Sequence, residues 1–151
     1  MAKALIVYAS LTGTTKGIAE LLAEELRDLK VEVLVEECTE VYPKEFIEND
    51  ICVMATYTYG SDGSLPEEAE DFFYELEEVN LKGKVFGVLG SGDLIYEKFC
   101  PSVNDFDKQF EKTNAIRGTE NLKINLDPDE ADKQKIKQFA KNLVNAYSKN
   151  K

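Results

Sequence analysis

The sequence predicts an α/β fold, in which an open parallel sheet of five strands carries helices on both faces. Short, continuously apolar runs of strand-forming residues recur along the chain, as in parallel strands covered on both faces, and segments of helical period separate them. The most apolar runs also lead into polar or glycine-bearing loops, at the end of the sheet where ligands bind. A length of 151 residues suits a single domain, residues 1–151.

The first strand and the first helix are predicted from a change of period. Ala4–Ala9 is apolar throughout and rich in strand formers. From Thr14 an apolar stripe at helical spacing is flanked by charged residues, so we expect a helix directly after the strand. The inward side chains of this helix are Ile18, Leu22, Leu26 and Leu29.

The middle of the chain holds the second and third predicted strands. Val31–Glu36 partly alternates, which is typical of a strand nearer the sheet edge. Tyr42-Pro43 starts an irregular link, and Ile51–Ala55 is a buried-type strand that runs into a loop, Thr56–Leu65. Pro66 suits the first position of the next helix, because an N–H there would have no helical partner. The inward residues of that helix are Ala69, Phe72, Phe73 and Leu76.

The fourth strand and the helix after it follow the same pattern. Val85–Leu89 is an apolar run that we predict as a strand, and it leads into a glycine-bearing loop, Gly90–Phe99. Pro101 starts the next helix. Its inward residues are Val103, Phe106 and Phe110.

The last predicted strand is split. Its two parts are Ala115–Ile116 and Leu122–Ile124, and Arg117–Asn121 interrupts them. Asp127-Pro128-Asp129 is the expected cap of a terminal helix. The inward residues of that helix are Ile136, Ala140, Leu143 and Tyr147.

The acidic balance of the chain restricts its partners. Eighteen basic against 29 acidic residues give a net charge of −11, which disfavours nucleic acid and anionic membranes and favours a basic protein partner. Acidic residues are dense from Asp62 to Glu78, where no lysine or arginine occurs. No apolar run reaches membrane-spanning length and the start lacks a signal-peptide pattern, so we expect a cytoplasmic monomer.

The cysteines and the missing histidine narrow the chemistry. Cys38, Cys52 and Cys100 stand far apart, so we expect free thiols, with Cys52 in the core and Cys100 a packing residue. The chain has no histidine, the commonest general base, which disfavours hydrolytic catalysis. Asp93 lies in a glycine turn, where an aspartate more often shapes the loop than acts as an acid or base.

A candidate phosphate site lies between the first strand and the first helix. N–H groups at a helix N-terminus lack intrahelical partners and carry partial positive charge, which suits an anion. The segment has neither the Gly-Lys-Ser/Thr of a Walker loop nor a G-x-G-x-x-G fingerprint, so nucleoside triphosphates and dinucleotides are disfavoured. By itself the segment fits either one monophosphate or a plain helix cap. Its residues are Ser10, Leu11, Thr12, Gly13, Thr14 and Thr15.

Aromatic residues in the other two loops favour a flat ligand. Rings at the mouth of a sheet can stack on a conjugated ring, at about 0.5–1.5 kcal/mol for an offset-stacked pair, or can simply cover the open end of the sheet. Glycines beside them let backbone groups approach a ring closely. The aromatic residues are Tyr57, Tyr59, Tyr96 and Phe99, and the glycines are Gly60, Gly90 and Gly92.

These three loops, in this order, resemble those of the flavodoxins, small FMN-containing electron carriers, and of the short-chain kind in particular. Ser10–Thr15 resembles the family's FMN phosphate loop, Thr56–Gly60 its loop on the inner face of the flavin, and Gly90–Cys100 its outer-face loop. The resemblance spans nearly the full chain. It implies a doubly wound sheet with strand order 2-1-3-4-5 and non-covalently bound FMN at the carboxyl ends of the strands.

The resemblance also implies roles for individual residues. The hydroxyls of Ser10, Thr12 and Thr15, with the N–H groups of residues 11–15, would hold the phosphate. Tyr59, where related proteins often have tryptophan, and Tyr96 would sandwich the ring. The remaining implied contacts are Thr56, Tyr57 and Thr58 beside the inner face, the hinge peptide at Gly60 and Ser61, and Ser91, Gly92, Asp93, Phe99 and Cys100 around the pyrimidine edge and outer face.

The resemblance implies a low-potential one-electron carrier between a reductase donor and an acceptor enzyme, without substrate chemistry of its own. Negative charge near a reduced flavin would lower its potential, since one such charge at 4 Å costs about 1 kcal/mol in water. Three alternatives stay open: a flavin-dependent quinone or nitro reductase, a specialised flavodoxin-like activator, and a receiver-like regulatory domain. The receiver is least favoured, because Ser10 and Thr56, rather than carboxylates, follow the first and third predicted strands.

Overall fold

A computed structural model of the chain describes residues 1–58, 65–95 and 99–150. Its strands run parallel in one sheet, in which β2-β1-β3-β4-β5 is the spatial order and a short β6 also pairs with β4. This confirms the predicted order 2-1-3-4-5. The strands are β1 Lys3–Tyr8, β2 Glu32–Glu37, β3 Ile51–Tyr57, β4 Val85–Gly92, β5 Ile116–Arg117 and β6 Leu122–Asn125.

Helices cover both faces of this sheet, as predicted. They are α1 Thr14–Asp28, α2 Glu70–Leu76, α3 Pro101–Glu111 and α4 Glu130–Asn150, with 3₁₀ helices at Pro43–Glu48 and Glu67–Ala69. One apolar core joins α1 and α4 to the first face, and a second joins α2, α3 and the first 3₁₀ helix to the other. Within the described residues, no helix is both long and apolar enough to span a bilayer.

Strand β1 contributes to both cores. Ala4 and Ile6 lie in the core with α1 and α4, whereas Leu5 and Val7 lie in the core with α2 and α3. Successive side chains of a strand point to opposite faces, so a central strand with helices on both sides must be apolar at every position. The continuous apolar run in the sequence therefore reflects a central place in the sheet.

Left-handed backbone conformations bound α1 at both ends. Gly13 at its N-cap has φ 95°, a conformation that glycine adopts without strain on a Cβ atom. Ile18, Leu22 and Leu26 are fully buried, as predicted, and burying each side chain contributes about 1.5–3 kcal/mol. After the helix, Lys30 at φ 69° turns the chain back towards β2.

The segment expected as an irregular link from Tyr42-Pro43 is instead the 3₁₀ helix Pro43–Glu48. Pro43 occupies its first turn, the Tyr42 N–H donates to the Glu45 carboxylate at 2.7 Å, and the Glu45 N–H donates to the Tyr42 carbonyl at 3.0 Å. Phe46 from this helix is fully buried in the second core. The prediction of an irregular link is therefore wrong, because Pro43 and the bonds between Tyr42 and Glu45 stabilise a 3₁₀ helix there.

Pro66 does not begin an α-helix, contrary to expectation. Its ψ of 132° is extended, and a 3₁₀ turn of three residues separates it from α2, which begins at Glu70. The predicted inward residues are confirmed nonetheless. Ala69, Phe72 and Leu76 are buried, and Phe73 is partly buried against the second core.

Strands β3 and β4 extend further than their apolar runs. Thr56 and Tyr57 belong to β3, and Gly90, Ser91 and Gly92 belong to β4, although all five were expected in loops. The register pairs Thr56 with Gly90 and Tyr57 with Ser91. A Cβ atom on Gly90 would lie 2.1 Å from the Thr56 carbonyl oxygen, so a residue with a side chain could not follow the strand there. The loops therefore begin at Thr58 and Asp93.

The predicted split of the last strand is confirmed. Both β5 and β6 pair with β4, through Ile116 opposite Val85 and Leu122 opposite Leu89. Between the two, the Gly118 N–H donates to the Phe86 carbonyl at 2.8 Å, so contact with β4 continues across the interruption.

Candidate functional site

The three candidate loops follow neighbouring strand ends. Tyr8 at the end of β1 lies beside Ala55 of β3, which in turn lies beside Leu89 of β4. Because the strands are parallel, the segments that start at Ser10 and Thr58 leave the sheet on the same edge, and so does the loop after β4. The sheet thus brings the predicted loops together at its carboxyl end.

The segment Ser10–Thr15 forms the turn that starts α1. The Gly13 N–H donates to Ser10 Oγ at 3.0 Å, and this bond shapes the turn before the helix. Leu11 and Thr12 are exposed, with Leu11 at 68% of its full exposure. The first N–H groups of α1 have no intrahelical acceptor. An exposed helix N-terminus of this kind suits an anionic group.

Thr15 connects this turn to β4. Its hydroxyl shares a hydrogen bond of 2.8 Å with the Ser91 hydroxyl, and both residues are buried. Two residues predicted in separate loops of one site are therefore in direct contact. The contact also means that the Thr15 hydroxyl already has a partner inside the protein.

Asp127 is a site residue that sequence reasoning placed elsewhere. Its carboxylate accepts a hydrogen bond from the Thr14 hydroxyl at 3.0 Å. The cap of α4 comes from Asp129 instead, whose carboxylate accepts from the Asp132 N–H at 2.8 Å while its own N–H donates to the Asp132 carboxylate at 3.1 Å. Backbone bonds from the Asp132 and Ala131 N–H groups are accordingly part of what lowers the pKa of Asp129. Only the position of Asp127 two residues before the cap could have suggested a separate role.

The end of β3 is fixed by polar contacts to two other elements. Thr56 is fully buried, and its hydroxyl donates to the Tyr57 carbonyl at 3.0 Å. The Tyr57 hydroxyl donates to the Glu68 carboxylate at 2.8 Å, while its ring packs on the second core. Thr58 Oγ1 accepts from the Ser102 N–H of α3 at 3.3 Å.

The end of β4 is held against β6. The Leu126 N–H donates to the Gly92 carbonyl at 2.8 Å, and the Leu94 N–H donates to Asn125 Oδ1 at 2.9 Å. The Asp93 carboxylate accepts from the Ile95 N–H at 3.0 Å, two residues further on. This turn agrees with the prediction that Asp93 shapes its loop.

Phe99 and Cys100 lead into α3 beside this edge. Cys100 is buried at the N-cap with φ 50°, and desolvation by burial raises the pKa of its thiol to about 11. A Cβ atom on Gly92 would lie 2.7 Å from Cys100 Sγ, so glycine leaves room for the Cys100 thiol to pack against the end of β4. Phe99 is partly buried on the second core, and its carbonyl accepts from Lys123 Nζ at 3.2 Å. Cys100 is therefore a packing thiol, as predicted.

Four predicted site residues lie outside the described residues, namely Tyr59, Gly60, Ser61 and Tyr96. Around the described part of the site, several large apolar side chains are exposed. They are Leu11, Leu94, Ile95 and Leu126, and each follows a strand end on this edge of the sheet.

The described residues fit the two ends of an FMN molecule. The N-terminus of α1, with left-handed Gly13, offers unpaired N–H groups to a phosphate. Gly92, which has no side chain, leaves the end of β4 open beside buried Cys100, where a ring edge could meet backbone groups. Asp127 would repel a phosphate bound at this turn, because its carboxylate places a negative charge next to Thr14.

Comparisons with known proteins agree with this architecture. The flavodoxin family model matches residues 6–139. A probable flavodoxin of Bacillus subtilis is 37% identical over 145 residues, which cover 95% of this chain and 91% of the relative. The solved flavodoxin of Streptococcus pneumoniae strain TIGR4 is 49% identical with a TM-score of 0.93, over 95% of this chain and 99% of that one. A short-chain flavodoxin associated with a bacterial microcompartment is 38% identical with a TM-score of 0.95, over 97% and 99%.

Proposed function

Because this chain belongs to the flavodoxin family of FMN-binding electron carriers, we propose that the loops at the carboxyl ends of β1, β3 and β4 hold its FMN. The observation that carries this proposal is the Thr15–Ser91 hydrogen bond of 2.8 Å, which joins the anion-binding turn to β4. Bound FMN accepts and returns electrons. The protein holds the two ends of the cofactor in place and sets its reduction potentials.

The proposed binding set divides between the two ends of the cofactor. For the phosphate, α1 offers the unpaired N–H groups of its first turn, and the turn before it offers the exposed Thr12. For the ring, the ends of β3 and β4 offer backbone that polar contacts already fix. The phosphate set is Ser10, Leu11, Thr12, Gly13, Thr14 and Thr15, and the ring set is Thr56, Tyr57, Thr58, Tyr59, Gly60, Ser61, Ser91, Gly92, Asp93, Tyr96, Phe99 and Cys100.

Flavodoxins transfer electrons to redox proteins, and for this chain we propose partners with basic docking faces. The support is the net charge of −11 and the exposed carboxylates of Glu70, Asp71 and Glu75 on α2. A cavity of about 360 Å³ lies between α2 and residues 38–42, and Asp71 and Glu75 are in its lining. Tyr57 donates to Glu68 of the same lining, so this acidic surface adjoins the end of β3.

The same charge distribution supports a low potential for the bound cofactor. Carboxylates near a flavin disfavour its reduced, more negative form, although those in water are screened beyond about 10 Å at moderate salt. We also propose that the chain acts as a single-domain monomer in the cytoplasm, on the basis of its length and acidic surface.

Reconstitution with FMN tests the central proposal. Purified apoprotein, mixed with FMN, should quench flavin fluorescence at a stoichiometric end point and show flavin absorption bands after gel filtration. Electrochemical titration of that complex should give two separate one-electron potentials. If the protein fraction stays colourless after FMN is added and free FMN is removed by gel filtration, the proposal is wrong.

A further inference from the structure

The first turn of α3 contains a hydroxyl group without a hydrogen-bond partner. Ser102 is fully buried, and its Oγ atom makes no hydrogen bond within the part of the chain that the structure describes. A buried polar group loses its bonds to water, and such unpaired groups are rare in native proteins. Alanine would avoid the loss altogether, so the presence of serine calls for a reason.

The helix itself does not satisfy this hydroxyl. Serine in a helix interior can bond the carbonyl three or four residues earlier. Those residues precede α3 here, since the helix starts at Pro101 and its N-cap, Cys100, is left-handed. Thr113, just beyond the other end of α3, shows the contrast: it is equally buried, and its hydroxyl donates to the Phe110 carbonyl at 2.5 Å.

Ser102 lies where β3, β4 and α3 meet. Its N–H donates to Thr58 Oγ1 at 3.3 Å, which ties the helix to the end of β3. The next residue, Val103, packs so closely on β4 that a Cβ atom on Gly90 would lie 2.7 Å from Val103 Cγ2. The backbone of Ser102 is thus held between the ends of β3 and β4, and its unpaired hydroxyl lies next to a residue of the proposed ring set.

We infer that Ser102 is a positioning residue of the flavin site, whose hydroxyl gains its hydrogen-bond partner when the flavin ring binds. Its N–H bond to Thr58 Oγ1 places Ser102 beside the ring set, and alanine would keep that bond, so the variant removes the hydroxyl alone. The inference rests on the proposed FMN site and assigns Ser102 to the ring end of it. The α1 turn, which serves the phosphate, makes no hydrogen bond with Ser102 in the described residues.

The variant Ser102→Ala tests this inference in the full chain. Since the substitution removes an unpaired group, the urea midpoint of the apoprotein should stay the same or rise. The Kd of FMN should increase about three- to tenfold, which corresponds to one neutral hydrogen bond. The Kd of riboflavin, which lacks the phosphate, should increase by the same factor.

Thr113→Val provides the matched control, because it removes a buried hydroxyl that has its partner at the other end of the same helix. It should lower the urea midpoint of the apoprotein and leave both Kd values unchanged. A Ser102→Cys variant retains a weak donor of similar shape and should give Kd values between those of the wild type and Ser102→Ala.

Two outcomes overturn the inference. One is that Ser102→Ala lowers the apoprotein midpoint as Thr113→Val does and leaves the Kd of FMN and riboflavin unchanged. The other is that the Kd of FMN alone changes, which would place Ser102 at the phosphate. A wild-type protein that binds neither flavin would instead remove the proposed function, so the two failures are distinguishable.

Discussion

Asp127 places a carboxylate beside the turn that we propose for the phosphate, since it accepts from the Thr14 hydroxyl at 3.0 Å. Two like unit charges 4 Å apart repel by about 1 kcal/mol in water and by about 4 kcal/mol at an effective dielectric of 20. We therefore expect Asp127→Asn to bind FMN about three- to tenfold more tightly at low salt. The amide oxygen can still accept from Thr14, so the turn should keep its shape. Fluorescence titration at low salt measures the change.

Two controls accompany this variant. The affinity for riboflavin should not change, because riboflavin has no phosphate for Asp127 to repel. The gain for FMN should shrink as salt is added, since salt screens exposed charges. Equal FMN affinity of the variant and the wild type at low salt would show that the phosphate binds away from Asp127.

Thr12 and Thr15 differ although sequence reasoning gave them the same role. Thr12 is exposed, so Thr12→Val should weaken FMN binding several-fold, through one lost hydrogen bond, without changing apoprotein stability. Thr15→Val also removes the buried bond to Ser91 and should destabilise the apoprotein by about 1 kcal/mol. Urea denaturation of each apoprotein separates the two cases, and neither variant should shift the potentials much. Equal stability losses for both would contradict this division.

At the scale of elements, the short strand β5 is tied to α3 by the ion pairs of Arg117. Arg117 donates to the Asp107 carboxylate of α3 through Nε at 2.9 Å and Nη2 at 2.5 Å, and it also pairs with Glu111. These side-chain bonds raise the pKa of Arg117 above its ordinary value. Asp107 is 8% exposed, so its carboxylate would be left largely buried without a cation. We expect Arg117→Met to lower the free energy of unfolding by about 1–2 kcal/mol, discounted because Arg117 itself is partly exposed.

Lys133→Met is the control for this ion pair. Lys133 pairs with Glu130 at 3.3 Å on the exposed surface of α4, where such pairs contribute about 0–1 kcal/mol. Urea denaturation of both variants measures the difference. A loss for Arg117→Met no larger than that for Lys133→Met would mean that β5 is held by its backbone bonds to β4 alone.

The elements that could be predicted from the sequence are those with strong local patterns. The continuous apolar run of β1 and the 3.6-residue stripe of α1 each depend on neighbouring residues only. The predicted C-terminal end of β4, Leu89, was wrong. Glycine and serine are weak strand formers, so the sequence gives no sign that the strand continues. The fold nevertheless requires glycine at position 90, because a side chain there would collide with the Thr56 carbonyl. The 3₁₀ helix after Tyr42 has no strong local pattern, because it is only six residues long and too short to show a helical stripe.

Site contacts between distant parts of the chain were beyond any local pattern. The Thr14–Asp127 bond joins residues 113 positions apart, and the Thr15–Ser91 bond joins residues 76 positions apart. Ser102 likewise gave no signal, because a buried serine in a first helical turn looks like an ordinary cap residue. The positions of the loops could be predicted from local sequence patterns. The hydrogen-bond partners of their side chains depend on the fold, which brings distant residues together.

At the scale of the whole molecule, acidic charge is distributed over more than one surface. Glu67, Glu70 and Asp71 are exposed next to the proposed flavin site, and Glu68 between them accepts from Tyr57. Exposed acidic residues also occur on α1, among them Glu20. If net charge alone attracts a basic partner, the carboxylates of both surfaces should raise the association rate equally. If the partner binds at one docking face, only the carboxylates of that face should raise it strongly.

A pair of triple variants distinguishes these possibilities. Glu67→Gln, Glu70→Gln and Asp71→Asn neutralise the surface beside α2, and Glu20→Gln, Glu24→Gln and Asp28→Asn neutralise α1; each set removes three exposed carboxylates. Stopped-flow measurement of electron transfer from the reduced protein to cytochrome c, a basic redox protein, gives the association rate. We expect the α2 triple to be about three- to tenfold slower than the wild type at low salt and the α1 triple to change little, because steering is strongest near the contact. The difference should vanish at high salt. Equal slowing by both triples would mean that net charge, rather than a docking face beside the flavin, attracts the partner.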